Sequence, residues 1–331
     1  MLTMMKQRFP VSDHCDGRRF FNPGPSRPPH GMMQVLRWRL RGERAAWPAF
    51  FTDPPVAPPP AVVEHDSVAL TFINQASFLI RLHGAVLLTD PIFSDRCSPV
   101  SWAGPRRVRP PGIALADLPR PDVVLLSHNH YDHMDFPSLR AIQARHAPRF
   151  ITTLGNARIL ARLGISATEL DWWQYVDAGP LRITATPARH FSARTPFDRN
   201  RALWGGFMVS AGAGMLLFAG DSGAGPHWAD IRTRLGPPDL ALLPIGAYEP
   251  RWFMAPVHMD PADAVEAHLA LGARRSVGMH FGTFQLTDEA IDAPLHALAA
   301  ARQVAGIEQD RFGTIGFGET RVFTLGDRQA R

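Results

Sequence analysis

Seven residues that follow a short apolar run constrain this chain more than any other part of it. They are Ser-His-Asn-His-Tyr-Asp-His at 127–133, and they place three histidines and one aspartate within six residues. The apolar run at 122–126 predicts a β-strand. A strand that ends in this segment aims several imidazole and carboxylate groups into one cleft. Zinc, iron and manganese accept these groups as ligands, so the segment indicates a metal site and not a surface cluster of histidines.

The order H-x-H-x-D-H resembles the signature of the metallo-β-lactamase superfamily. That resemblance implies three further ligands: a histidine, a bridging aspartate and a last histidine, each from a separate loop after a strand. His190, Asp221 and His280 occur in this order. They follow the strand-like segments 181–186, 215–220 and 275–279. Alone, each is more typical of a loop or core residue, but three in the expected order favour ligands.

Composition allows a large core and argues against several classes of protein. The chain has 331 residues, of which 45% are hydrophobic, enough for one large domain or two smaller ones. No run approaches the length of a transmembrane helix, and residues 1–8 hold too short an apolar stretch for a secretory signal. We therefore expect a cytoplasmic protein. Two cysteines, Cys15 and Cys97, make neither a disulfide framework nor a cysteine metal site.

The formal net charge of +5 favours anionic partners. Phosphate esters and an anionic membrane surface both suit such a charge, and the second predicts peripheral contact at the inner membrane face. Nucleic acid suits it too, but the chain holds no recognition motif for it, so none is expected. The sequence does not indicate an oligomeric state.

The first 62 residues differ from the rest and are interpreted as an N-terminal arm with a proline-rich linker, ahead of a hydrolase domain at 63–331. The proline run at 53–60 breaks regular structure. Apolar residues alternate with arginines at 32–41. That segment suits a membrane surface, or it packs on the main domain as an ordinary arm.

Beyond residue 63 the pattern predicts short strands grouped between helices. Segments 68–73, 77–82 and 85–89 predict a β-meander with a turn at His83-Gly84. The predicted helices are 137–145, 156–163, 228–235, 261–271 and 288–301, with Asp260 as the N-cap of the helix that begins at Pro261. This alternation is typical of an α/β fold, with α+β character, in which helices cover two sheets.

A closer resemblance covers residues 88–318. This region is similar to the branch of the superfamily that holds the N-acylphosphatidylethanolamine-hydrolysing phospholipases D, which is related to bacterial ascorbate-6-phosphate lactonases. The similar segments are LTDPIFSDRCSP (88–99), GPRR (104–107), LSHNHYDHMD (126–135), ELDWW (169–173), LWG (203–205), FAGDSG (218–223), PIGAYEPRWFM (244–254) and MHFGTF (279–284).

The resemblance implies an αββα sandwich with two divalent metal ions at one edge. Zinc is the first choice of metal, with iron and manganese as alternatives. One ion is expected on His128, His130 and His190, the other on Asp132, His133 and His280, with Asp221 as the bridge.

The chain departs from the family at two places. The family often has a Gly-His pair where this chain has Asn74-Gln75, which puts a supporting histidine there in question. The family also has glutamine before the histidine at 258, where this chain has Val257.

Two divalent ions acidify a shared water and clamp an oxyanion, so a metal-bridged hydroxide is expected to attack phosphorus or a carbonyl carbon. The predicted catalytic residues are Asp132, Asp221 and His258. His258 either protonates a leaving alkoxide, binds a phosphate oxygen, or begins a helix with no catalytic part. Asp90 either supports a ligand histidine or forms a turn before Pro91.

Arginines and aromatic residues crowd the same loops. Candidate phosphate clamps, each with a solvated surface role as the alternative, are Arg106, Arg107, Arg109, Arg194 and Arg251. Candidates for an apolar groove, each with a core role as the alternative, are Trp172, Trp173, Phe191, Trp204, Trp252 and Phe253.

These observations predict a metal-dependent phosphodiesterase of phospholipase D type that acts on N-acylphosphatidylethanolamine-like phospholipids. The alternative is a lactonase or other ester hydrolase for a small molecule, with or without a phosphate group. A non-catalytic binding protein is a third class, against which the full set of seven ligands argues. A nuclease is a fourth, but the sequence shows no inserted nucleic-acid-binding domain.

Overall fold

Two seven-stranded β-sheets lie face to face in the computed structural model, which describes residues 8–24, 37–38 and 42–326. Seven strands build the first sheet: β3 (Ser67–Asn74), β4 (Ser77–Leu82), β5 (Ala85–Thr89), β6 (Val123–Leu126), β7 (Arg149–Thr153), β8 (Ala167–Leu170) and β16 (Thr320–Thr324). Their spatial order is β16-β3-β4-β5-β6-β7-β8. A separate two-stranded hairpin, β1 (Val11–Ser12) and β2 (Cys15–Asp16), comes first in the chain.

The second sheet is built the same way. Its strands are β9 (Tyr175–Ala178), β10 (Leu181–Thr186), β11 (Gly206–Ala211), β12 (Gly214–Phe218), β13 (Leu240–Pro244), β14 (Arg275–Met279) and β15 (Phe312–Gly313). Their order is β15-β14-β13-β12-β11-β10-β9. The apolar core between the sheets joins residues such as Leu70 and Leu125 of the first sheet to Phe207 and Leu242 of the second.

Helices cover the outer faces of both sheets. They are α1 (Phe136–His146), α2 (Ala157–Ala161), α3 (His227–Leu235), α4 (Arg251–Met254), α5 (Pro261–Leu271) and α6 (Ala293–Ala305). Leu139 in α1 packs with Val124 and Leu126, while Leu125 points to the opposite, inter-sheet core. Strand β6 is therefore apolar on both faces because both are covered. The predicted αββα sandwich is confirmed.

Strand direction decides where the polar loops meet. Strands β5 to β8 are parallel to one another, as are β12 to β15. Within each set the carboxyl ends therefore share one edge. The turn from β3 to β4, at Gln75-Ala76, lies at the edge where β5 ends, because β4 runs antiparallel to β5. A residue far from the H-x-H-x-D-H segment in sequence is thereby brought to the same edge.

Most predicted elements agree with the structure, and one helix does not. The strands 77–82 and 85–89, the turn at His83-Gly84 and the helix 261–271 are confirmed. Asp260 caps that helix by accepting from the backbone N–H of Asp263 at 2.8 Å. The helix predicted at 288–301 instead runs from Ala293 to Ala305. Its predicted start was wrong because Asp288 and Glu289 make tertiary hydrogen bonds in a loop.

The N-terminal region is described in part. Of the apolar and basic segment at 32–41, only residues 37–38 belong to the described part of the chain, so its membrane role stays a prediction. The division of the chain at residue 62 also stays a prediction. Residues 8–24 pack on the main body, where Cys15 and Phe20 are buried with Trp172 and Trp204. No helix among the described residues is long and apolar enough to span a membrane.

Candidate metal centre

The seven predicted ligands all come from loops that follow strands. The segment 127–133 comes directly after β6, and His190, Asp221 and His280 follow β10, β12 and β14. Their ligand atoms converge in two neighbouring groups. Six of the seven side chains are buried, and His130 is partly buried. Side chains that are distant in sequence thus form one enclosed polar cluster.

The first group consists of His128, His130 and His190. Nε2 of His128 lies 2.9 Å from Nδ1 of His130, and Nε2 of His190 lies 3.1 Å from the same atom. Three ring nitrogens so close together face a common centre. This is the arrangement by which three histidines hold one ion.

The second group consists of Asp132, His133, Asp221 and His280. Oδ2 of Asp132 lies 3.4 Å from Nε2 of His133 and 3.1 Å from Nε2 of His280. Two carboxylates and two imidazoles therefore share one pocket. Their oxygen and nitrogen donors suit zinc, iron or manganese.

Asp221 lies between the two groups. Its Oδ2 is 3.1 Å from Nε2 of His133 and 3.2 Å from Nε2 of His280. The same oxygen is 3.9 Å from Nε2 of His128 and 3.8 Å from Nε2 of His190. One carboxylate oxygen thus reaches towards histidines of both groups, which is the position that a bridging ligand needs.

Neighbouring groups orient the ligand histidines. Asp90 Oδ2 lies 2.7 Å from Nδ1 of His133, and Asp90 also accepts from the backbone N–H and the hydroxyl of Ser127. Nδ1 of His190 donates to the carbonyl oxygen of Val257 at 2.9 Å. Such partners fix the ring orientation and leave Nε2 of each ring as the atom that can bind a metal ion. Asp90 therefore contacts a predicted ligand, as one of its two sequence interpretations required.

Gln75 is a site residue that sequence reasoning missed. Its side chain is buried, and its Nε2 donates to Oδ2 of Asp132 at 2.9 Å and lies 2.9 Å from Nε2 of His280. The departure from the Gly-His pair was the signal that pointed to this position. The supporting group at this corner is therefore a carboxamide, in the place where the family often has an imidazole.

Burial sets the protonation of the first group. It lowers the pKa of His128 and His190 well below the usual histidine value and that of His130 to about 4, and the positive charge of neighbouring histidines contributes. The three imidazoles are therefore neutral near pH 7. A neutral imidazole keeps the lone pair that a metal ion requires.

Charge pairing outweighs burial in the second group. Burial alone raises the pKa of Asp132 and Asp221, but His133 and His280 hold both carboxyl pKa values well below the usual range. Burial likewise lowers the histidine pKa values, yet the two carboxylates raise that of His133 well above normal and that of His280 to about 9. Two buried carboxylates thus attract positive charge into this pocket.

The residues fit the divalent ions that the sequence predicts. Oδ1 of Asp221 is buried and has no hydrogen-bond partner among the described residues, while Nε2 of His133 faces the carboxylates of Asp132 and Asp221. Buried polar atoms without partners are costly unless another group satisfies them. A cation beside Asp221 would satisfy this oxygen and balance the carboxylates, so the cluster has the composition of a metal centre.

His258 lies against the cluster. Its ring centre is 5.0 Å from that of His190, and with His190 and Asp221 it forms a further group of close ligand atoms. Burial lowers the pKa of His258 to about 4, so the ring is neutral near pH 7. A neutral ring is better suited to donate a hydrogen bond than to deliver a proton as a strong acid.

The predicted arginine clamps have structural contacts. The guanidinium of Arg107 is buried and donates to the carbonyl oxygens of Ser94 and Ile92, so a clamp role is wrong for this residue. Arg109 pairs with Asp53. The other three contact carbonyl or carboxylate groups: Arg194 meets Asn129 and Met134, Arg251 meets Asp260 and Asp263, and Arg106 lies near Asp95.

The aromatic candidates divide into two sets. Trp172 and Trp204 belong to the buried core that holds the N-terminal hairpin, so the groove prediction is wrong for them. Trp173 packs at the edge of the main core under Arg234. The other three are not part of that buried core. Phe191 packs edge-on against His130, Phe253 stacks on Trp38, and Trp252 is half exposed.

Two cavities border this region. The larger, of about 700 Å³, is lined by Trp38, Glu249, Trp252 and other residues, none of which is a predicted ligand. The smaller, of about 400 Å³, is lined by Tyr131, which stands between His130 and Asp132, and by Val100 and Arg140. The smaller cavity therefore borders the metal segment at Tyr131, and none of its lining residues is a predicted ligand. Fold and cluster together define a metal-dependent hydrolase.

Comparison with known proteins agrees with this class. Residues 86–281 match the Beta-lactamase superfamily domain. N-acyl-phosphatidylethanolamine-hydrolyzing phospholipase D 1 of Caenorhabditis elegans is 38% identical over 274 residues, which cover 78% of this chain and 76% of that protein. The mitochondrial N-acyl-phosphatidylethanolamine-hydrolyzing phospholipase D of Saccharomyces cerevisiae is 33% identical over 277 residues, 80% of this chain and 59% of the yeast protein. The chain belongs to the metallo-β-lactamase superfamily, in the branch of these phospholipases.

A solved structure shows the same fold. Igni18, a metallo hydrolase from the archaeon Ignicoccus hospitalis KIN4/I, superposes with a TM-score of 0.59 at 23% identity. The match covers 78% of this chain and 98% of Igni18. The αββα arrangement is thus shared well beyond the closely similar sequences.

Proposed function

We propose that the protein is a phosphodiesterase of phospholipase D type with a binuclear metal centre, acting on N-acylphosphatidylethanolamine-like phospholipids. The observation that carries the proposal is Asp221, whose Oδ2 lies within 3.9 Å of histidines from both ligand groups. One ion would be held by His128, His130 and His190. The other would be held by Asp132, His133 and His280.

When bound, divalent ions supply Lewis acidity, which acidifies water and stabilises negative charge on phosphate oxygens. The protein's own residues orient the reacting groups. Asp90 and Val257 fix the rings of His133 and His190 by hydrogen bonds. His258 would donate a hydrogen bond from its neutral ring to an oxygen of the phosphodiester as charge develops there.

The substrate class rests on the relatives and on the surroundings of the cluster. The relatives from Caenorhabditis elegans and yeast carry the name of this phospholipid in their own names. The cavity beside Tyr131 is lined by apolar Val100, by three arginines and by two carboxylates: Arg96, Arg140, Arg194, Asp95 and Asp135. Because the arginines outnumber the carboxylates, this lining supports a molecule with an anionic head and an apolar tail.

The first experiment measures the reaction. The purified protein is incubated with N-acylphosphatidylethanolamine in mixed micelles, and mass spectrometry follows phosphatidic acid and N-acylethanolamine. His258→Ala should lower kcat by about 100-fold if this side chain assists the leaving oxygen. His268→Ala is the matched control, because His268 is a buried histidine of α5 that bonds to Ser276. A control that loses as much activity as His258→Ala would contradict the role of His258.

The second experiment counts metal ions. Elemental analysis should find about two ions per chain in the wild type and fewer in Asp221→Ala, because one carboxylate serves both groups. A wild type without bound metal contradicts the binuclear centre.

One observation favours a second candidate, a lactonase or other ester hydrolase. Arg107 and Arg194 bind backbone carbonyls, so the site has fewer cationic side chains for a phosphate than the sequence predicts. A neutral ester needs less positive charge. Rapid turnover of short-chain lactones, with none of the phospholipid, would establish this candidate in place of the first.

A further inference from the structure

Asn22 holds the backbone of His190 from the N-terminal segment. Its Nδ2 donates to the carbonyl oxygen of His190 at 2.9 Å, and its Oδ1 accepts from the backbone N–H of His190 at 3.2 Å. The same Oδ1 accepts from Nε1 of Trp204 at 3.2 Å. Asn22 lies outside residues 86–281, the region that matches the superfamily domain. A residue beyond that domain therefore bonds to both the N–H and the C=O group of a predicted ligand.

Asn22 supplies the hydrogen-bond partners of the His190 backbone, while the backbone of its neighbour Arg189 is held by Ser222 and Gly223. His190 lies in the connection between β10, which ends at Thr186, and β11, which begins at Gly206. No helix or strand occurs in this connection. The side chain of His190 is held by the carbonyl oxygen of Val257, but its amide and carbonyl groups are satisfied by Asn22. Without Asn22 these two backbone groups lose their protein partner.

The segment that carries Asn22 is itself docked firmly. Phe20, two residues earlier, is almost fully buried, and its backbone N–H donates to the carbonyl oxygen of Asn200 at 2.9 Å. Asn200 lies in the same connection as His190. His14 of the hairpin contacts Asp171 at 2.8 Å and stacks on Trp172 with ring centres 4.3 Å apart. The N-terminal segment is thus hydrogen-bonded to the connection that carries His190 at two positions, through Asn22 to His190 and through Phe20 to Asn200.

We infer that Asn22 is a positioning residue for the first ligand group and that residues 8–24 complete the metal centre. The inference rests on the proposed metal centre. Removing the Asn22 amide leaves the N–H and C=O groups of His190 without these partners, which loosens the position of its Nε2 beside Nδ1 of His130. The second group does not contain His190, so its affinity for an ion should change far less.

The test uses the full chain and measures metal affinity by competition with a chromophoric chelator. Asn22→Ala should weaken binding of one of the two ions by about 10- to 100-fold, as loss of a supporting partner does in other metal sites. Asn22→Asp keeps the acceptor but not the donor and should give a smaller loss. Val11→Ala, a change at an exposed position of the same N-terminal segment, should bind both ions like the wild type.

Several results overturn the inference. Two ions bound by Asn22→Ala with wild-type affinities would do so, as would an equal loss of both ions, which indicates general unfolding. Circular dichroism of the metal-free variants separates folding from positioning, and Asn22→Asp decides the matter if Asn22→Ala does not fold. If the wild type binds fewer than two ions, the proposed function itself is contradicted. If the wild type binds two ions and Asn22→Ala has the same metal affinities, only this inference is contradicted.

Discussion

Gln75 and His280 are joined twice, once through the backbone and once through their side chains. The backbone N–H of His280 donates to the carbonyl oxygen of Gln75 at 2.7 Å, and Gln75 Nε2 lies 2.9 Å from His280 Nε2. The backbone N–H of Gln75 is held in turn by the hydroxyl of Thr283. The β3–β4 turn and the loop after β14 therefore position one predicted ligand together.

Gln75→Ala should lower the affinity for one of the two ions by about 10- to 100-fold, because the carboxamide orients both Asp132 and His280. Chelator competition, with elemental analysis of the dialysed protein, measures this change. Gln75→Glu should bind that ion at least as well as the wild type, since it adds negative charge to the second group.

Gln285→Ala is the matched control, because the Gln285 amide donates to the carbonyl oxygen of Ala45, in a contact that includes no ligand. Equal metal affinity in Gln75→Ala and Gln285→Ala would contradict the positioning role of Gln75.

Arg194 should hold the loop at 127–134 in its conformation. Its guanidinium donates to the carbonyl oxygens of Asn129 and Met134 and packs between the rings of Tyr131 and Phe136. Arg194→Ala should therefore reduce metal content and kcat, with a smaller change in KM. Arg194→Lys should restore little, because an ammonium group lacks the planar fork and the stacking surface of arginine.

Arg106→Ala provides the comparison, since Arg106 is exposed and lies 3.6 Å from Asp95. If Arg194→Ala keeps full metal content and raises only KM for the phospholipid, the sequence-based hypothesis of a phosphate clamp is right.

Asp90→Asn should lower metal affinity and folding stability together. Burial raises the pKa of Asp90, although contacts with His133 and Ser127 act in the opposite direction. The amide nitrogen cannot accept the hydrogen bonds that the carboxylate accepts from Ser127 and His133, so the Tm of the metal-free protein should fall. Because an amide is a weaker hydrogen-bond partner for His133 than a carboxylate, the substitution should also lower metal affinity by about 10- to 100-fold. Asp239→Asn is the control, because Asp239 is buried and accepts from the backbone N–H of Met215 in the second sheet. It should leave metal affinity unchanged.

Stability should depend on the protonation of His14. Burial lowers its pKa, but hydrogen bonds and charge from Asp171 and Asp13 outweigh that effect and raise the pKa above the usual histidine value of 6.5. The ion pairs therefore stabilise the fold fully below about pH 6.5, the unfolded value, and lose this contribution as pH rises through the higher folded value. A neutral ring also donates only one of its two hydrogen bonds.

Urea unfolding at pH 6 and pH 9 measures this effect in the wild type and in His14→Gln. The difference in free energy of unfolding between the two proteins should be larger at pH 6. A difference that grows towards pH 9 has the wrong sign for a raised pKa. His296→Gln serves as control, because His296 is an exposed histidine near Asp292 in α6.

The strand and helix pattern and the proximity of the first four predicted ligands could be read from local signals. The segment 127–133 holds four predicted ligands in one loop, so their proximity requires no knowledge of the fold. Asp260 and Pro261 likewise mark a helix start by their own backbone preferences. The later ligands were found by order along the chain together with resemblance to a family.

The tertiary structure alone decided which residues support those ligands. Asn22, Gln75 and Arg194 reach the cluster because chain segments distant in sequence meet at one edge of the sandwich. A long arginine side chain also has many possible partners, and backbone carbonyls, invisible in a sequence, compete for it. Asp288 and Glu289 show the same limit: their tertiary hydrogen bonds override a local helix preference. Local patterns therefore determined the elements and the ligand types, whereas contacts between distant loops determined how the ligands are held.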